Sequence, residues 1–128
     1  NLYVAAVDDK KTAEMLLDKL EKMESSALIS GYTGAVKMMM ARHVFNPFKK
    51  LSHFNEGKKM LESAIEKSPD CLELRYLRYG IQKHTPKFLN YNKTLDEDKK
   101  FLENTEHQKH SDSDLLKRID AILNENDI

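Results

Sequence analysis

Cysteine is nearly absent from this chain of 128 residues: Cys71 stands alone. No internal disulfide can therefore form, and a four-cysteine zinc site is excluded. Beside Leu72, the lone thiol is most simply a packing residue. Proline is almost as scarce, and Pro47, Pro69 and Pro86 each fall where a helical pattern starts or stops. Charge of one sign is not in excess, with 21 basic and 21 acidic residues, which argues against binding to nucleic acid or a membrane surface through bulk charge. No apolar run approaches the length of a bilayer span. The HExxH, GxSxG, Walker A and dinucleotide-binding patterns are all missing. The carboxylates sit on charged faces, with no pair in apolar surroundings that would tune one as an acid. Cys71, expected at a helix N-terminus, has no partner base in view. No catalytic residue, metal ligand set or cofactor is assigned on these grounds, and the chain is read as a non-enzyme.

What remains is helical periodicity. A chain of this length is one domain's worth and can bury roughly two-thirds of its unfolded surface without a covalent staple. Asp8 or Asp9 caps a first helix to about residue 24, with Ala13, Leu16, Leu17, Leu20 and Met23 on one face. Ser25 and Ser26 start a second, whose buried face is Leu28, Gly31, Tyr32, Ala35, Met38 and Met39. Gly31 and Gly34 cost helix propensity there, so close packing is the expected reason for them. Asn46 followed by Pro47 opens a third helix, in which Leu51, Phe54, Leu61, Ala64 and Ile65 share a face and Gly57 with Ala64 make a strip without bulk. Asp70 with Glu73 reads as an acid-capped start for a fourth helix, to about His84. Leu74, Leu77 and Ile81 form one apolar side of it, and Leu72, Tyr76 and Tyr79 another. A helix with two apolar faces is expected between neighbours. Phe88, Leu89 and Tyr91 are expected to plug the end of the core. Thr94 with Glu97 reads as a capping box for a fifth helix, and Ser111 with Asp114 opens a sixth carrying Leu115, Leu116, Ile119, Ile122 and Leu123. The fold class expected is all-α: six helices in three antiparallel pairs, forming a single domain over 1–128 with a central hairpin at 46–91.

Gly57, Leu61, Ala64 and Pro69 stand at the spacings of the second half of a tetratricopeptide repeat (TPR). Over residues 31–89, Gly31-Tyr32-Thr33-Gly34-Ala35, Arg42 to Leu51, Glu73 to Arg78 and Pro86-Lys87-Phe88-Leu89 carry a wider likeness. Through them the chain resembles a family of small exported bacterial helical proteins of TPR-like fold, to which no activity is assigned. The resemblance implies a TPR-like superhelix and a removed export signal, hence a periplasmic or secreted protein. The first residue, Asn1 rather than methionine, is read in the same sense as the start of a processed or trimmed product. Two departures from a regular repeat are visible: the loop before the third helix is long, and Arg75 and Arg78 stand near positions where repeats favour bulky apolar residues.

Arg75, Arg78 and Gln82 form a polar stripe on the two-faced fourth helix, and two roles are open for it. In one, carboxylates of the acidic C-terminal third, Asp96 and Asp98 among them, accept its hydrogen bonds and lock the fifth helix onto the fourth. In the other, the stripe lines a groove in which the planar guanidinium forks grip a partner's carboxylate. Residues 46–91 carry a net charge of +4 and residues 92–128 a net charge of −4, which suits attraction between the two segments. His107 and His110 make a weak metal half-site, more simply explained by the polar tract around them. The function expected is a non-catalytic interaction module for a protein or peptide, with no nucleic-acid partner and no integral membrane segment. The alternative is a small-ligand or enzymatic pocket beside the fourth helix, assembled from His43, Arg75, Arg78, Gln82 and Tyr91.

Overall fold

The structure, a computed structural model, describes residue 3 and residues 9–21, 26–104 and 113–125. Among the described residues every regular element is helical, as the periodicity requires. The described residues include six α-helices: α1 (Lys10–Glu21), α2 (Ala27–Met40), α3 (Pro47–Lys67), α4 (Leu72–His84), α5 (Leu95–Glu103) and α6 (Ser113–Leu123). Short 3-10 helices lie at Ala41–His43 and Lys87–Leu89. No helix among the described residues is long and apolar enough to cross a membrane. The chain forms two compact units, Asn1–Pro69 with α1 to α3, and Asp70–Ile128 with α4 to α6.

In the first unit α1, α2 and α3 each start on a side chain that accepts from one or two of the helix's first N–H groups. Asp9 accepts from Lys11 N and Thr12 Oγ1, and these bonds hold its carboxyl below the usual range. Ser26 accepts from Ile29 N, and Asn46 from Phe48 N and Lys49 N ahead of Pro47. The middle helix, α2, has neighbours on two sides. Val36, Met39 and Met40 form a buried cluster with Ala13 and Leu16 of α1, bordered by Tyr3, Leu17, Ile29 and Tyr32. Tyr3 meets Tyr32 edge to face, with ring centroids 5.7 Å apart. Met38, Met39 and Met40 are thus core filler.

On its other side α2 runs antiparallel to α3 at backbone contact. A Cβ on Gly34 would stand 2.5 Å from Gly57 O and 2.8 Å from Leu61 N; one on Gly57 would meet Gly34 O, and Met38 N at 2.8 Å. The expected strip without bulk is therefore where two helices touch, with Leu61 and Ala64 buried beside it. Leu28 and Leu51 depart from expectation, being 36% and 49% exposed. For Leu51 the reason is length. α3 has 21 residues and α2 has 14, about 32 and 21 Å, so the first turns of α3 extend past their partner.

In the second unit α4 buries Leu72, Leu74, Tyr76, Leu77, Arg78, Tyr79 and Gln82 and packs on both α5 and α6, as its two apolar faces require. Gly80 admits Ile122 of α6 closely. Lys83 Nζ donates to the carbonyl of Ile122 in the last turn of α6 and to that of Glu125 beyond it, and the Arg118 guanidinium lies 5.6 Å from the Tyr76 ring centroid. Burial pushes the Tyr76 phenol above its usual 10. Three local expectations are corrected here. Cys71, not Asp70, occupies the N-cap of α4 and makes no side-chain cap bond. The Thr94–Glu97 capping box does not form, because the Thr94 hydroxyl is drawn to buried partners described below. Phe88 is 84% exposed, whereas Tyr91 is buried, on a turn where Asn90 takes the left-handed conformation.

Candidate functional site

The two arginines predicted as a stripe lie one turn apart on α4, facing the first turn of α5. Asp98, on that turn, has no exposed surface. Arg78 reaches it with two parallel bonds, Nε to Oδ2 and Nη2 to Oδ1, each 2.7 Å. Arg75 Nη1 adds a third, to Oδ1, at 3.0 Å. Glu97, mostly exposed, stands 3.6 Å from Arg78 Nη2 and 4.0 Å from Arg75 Nη1, and the Arg75 guanidinium stacks 4.6 Å from the centre of the Phe101 ring. Gln82, one turn beyond Arg78, accepts at Oε1 from Thr94 N at 3.2 Å and Thr94 Oγ1 at 3.0 Å. The Thr94 hydroxyl also lies 3.4 Å from Asp98 Oδ2. Arg75, Arg78 and Gln82 are thus brought together, the arginines on Asp98 of α5 and Gln82 on Thr94 at its N-cap. Of the two acids named from sequence, Asp98 is the acceptor and Asp96 is exposed.

Tyr91 belongs to the same unit and is buried. His43 belongs to the first unit, half-buried on the 3-10 helix Ala41–His43, where its Nε2 is shielded and has no hydrogen-bond partner among the described residues. His107, His110 and Ser111 lie outside the described residues. Among those described, no group of three or more histidine, cysteine or acidic side chains converges as a metal site.

An open cleft of about 470 Å³ lies in the first unit, between the N-terminal turn of α2 and the C-terminal half of α3. Roughly 300–1,000 Å³ is usual for a ligand site. Ala27, Met60 and Ala64 give it apolar surface, and Ser26, Ser30, Ser63, Lys59 and Lys67 give it donors and positive charge. Glu56, also at the cleft, is neutralised by Lys37, whose ammonium bonds its Oε1 and holds the carboxyl below its usual 4.5. The cleft thus offers two lysines and three hydroxyls over a small apolar surface. Sequence reasoning missed it, although a signal was present. Lys59, Ser63 and Lys67 repeat at four-residue steps on α3, as Ser26 and Ser30 do on α2. Such stripes look like ordinary solvated faces until two of them are set side by side.

No family model, curated protein or solved structure matches the chain.

Proposed function

We propose that this chain is a non-catalytic, TPR-like interaction module that takes an acidic peptide segment of a partner protein in the α2–α3 cleft. The carrying observation is the cleft itself, with Lys59 and Lys67 beside Met60 and Ala64 on one long helix. Charge there selects acidic segments, and the apolar surface between the lysines accepts a side-chain anchor. The Gly57, Leu61, Ala64 and Pro69 spacing, with Gly57 seated against Gly34, supports TPR-like pairing of successive helices. An exported, bacterial setting belongs to the same proposal, by the family resemblance alone. In the second unit, the Arg75–Arg78–Asp98 cluster serves as a lock between α4 and α5.

Selection of peptides from a random display library against the immobilised full chain tests this reading. Enriched sequences should be rich in aspartate and glutamate around an apolar residue, and Lys59→Glu, Lys67→Glu should lose them. Absence of enrichment, or enrichment that survives both changes, rejects the cleft as the site.

A further inference from the structure

The overhanging start of α3 and the loop just before it carry the most exposed apolar side chains of the first unit. Phe45 is 99% exposed and Phe48 84%, and Pro47 between them and Leu51 one turn on are exposed as well. Such rings gain greatly from being covered. Along the chain, the charges that flank them are of one sign. Arg42, Lys49 and Lys50 are exposed beside them, and no aspartate or glutamate occurs anywhere from residue 25 to residue 55. The balanced charge of the whole chain conceals this segment.

Shape narrows the choice of occupant. At 99% exposure Phe45 touches almost nothing of its own chain, so the feature is a projection. A folded partner would need a preformed pocket for each ring, whereas a bilayer interface closes around whatever projects into it. Phenylalanine and leucine rimmed by lysine is the composition of interfacial membrane contacts, in which rings enter the headgroup and acyl boundary while ammonium groups stay among lipid phosphates. The geometry points to docking of this edge on an anionic lipid surface, with Phe45, Phe48 and Leu51 inserted and Lys49 and Lys50 on the phosphates. Phe48 and Ser63 are separated by about 22 Å along α3, so the cleft stays open while the edge is docked.

Flotation of the full chain with vesicles tests this directly, comparing pure phosphatidylcholine with mixtures containing phosphatidylglycerol. The protein should float with the anionic vesicles only. Lys49→Gln and Lys50→Gln should each weaken partitioning ~5-fold, the weight of one cation near an anionic leaflet. Phe45→Ser with Phe48→Ser should abolish it, with the circular dichroism melt unchanged because both side chains are exposed. Failure to float with anionic vesicles overturns the inference, as does flotation that survives the double serine change or is equal on pure phosphatidylcholine. Self-association that depends on both phenylalanines, without vesicle binding, also overturns it and assigns the edge to a second copy of the chain.

Discussion

Replacing Asp98 with alanine should destabilise the protein by about 3–5 kcal/mol, because the two arginines it serves are left in place without their carboxylate. Three bonds from guanidinium groups end on Asp98, and neither Arg78 nor Asp98 reaches water to any useful extent. Stability then falls through the desolvation cost of the buried cations, which the exposed Glu97 carboxylate at 3.6 and 4.0 Å offsets only in part, more than through the value of the bonds. That distinction gives a second variant with the opposite outcome. Arg75→Met, Arg78→Met and Asp98→Leu together remove all three charges and fill the space with apolar groups, so the triple variant should lie within about 1 kcal/mol of the parent or above it. Urea unfolding followed by circular dichroism measures both. Because the pair is buried, the deficit of Asp98→Ala should also persist at high salt. An Asp98→Ala cost below about 1 kcal/mol, or a triple variant as damaged as the single, would refute the reasoning.

Two further expectations concern the first unit and one glycine of the second. Gly57→Ala should destabilise strongly, since the new methyl group meets the backbone of Gly34 and Met38. Gly80→Ala meets only the flexible end of Ile122 and should be neutral, or stabilise by up to about 1 kcal/mol through helix propensity; thermal melts separate the two, and equal effects would contradict the backbone contact. Glu56 is the expected source of an acid-sensitive increment. Its carboxyl is held below 4.5 by Lys37 in the folded state, so its contribution is present above about pH 4.5 and is lost as pH falls through the lowered folded value. Denaturation curves of Glu56→Gln against pH should be flatter than the parent's across that window, and identical slopes would reject the pairing.

The sequence made the helices legible because each device is local. Asn46 and Pro47 announce a helix start whatever surrounds them, and the three-and-four spacing of Phe54, Leu61 and Ile65 marks the buried side of α3. Periodicity, however, identifies a face and not how far the partner on that face extends. Leu51 obeys the pattern yet is exposed because α2 ends sooner; Phe48 shares that overhang, and Phe45 lies in the loop before it. Thr94 failed as a cap for a related reason. Its hydroxyl had a better-placed acceptor in Gln82, twelve residues away, which no local motif can register. Asp98 could be named as an acceptor because Arg75 and Arg78 sit between apolar faces and require an acid close by. The cleft was not legible, since it exists only where the stripes of α2 and α3 lie side by side.

On the proposed reading, the cleft of the first unit binds the partner and the arginine cluster of the second only locks α4 to α5. Titration of one library-selected acidic peptide into two variants tests that division most directly. Binding should be lost in Lys59→Glu, Lys67→Glu and retained in the charge-free triple variant at Arg75, Arg78 and Asp98. Retention in the lysine variant with loss in the triple variant would contradict the account and return the binding role to the arginines.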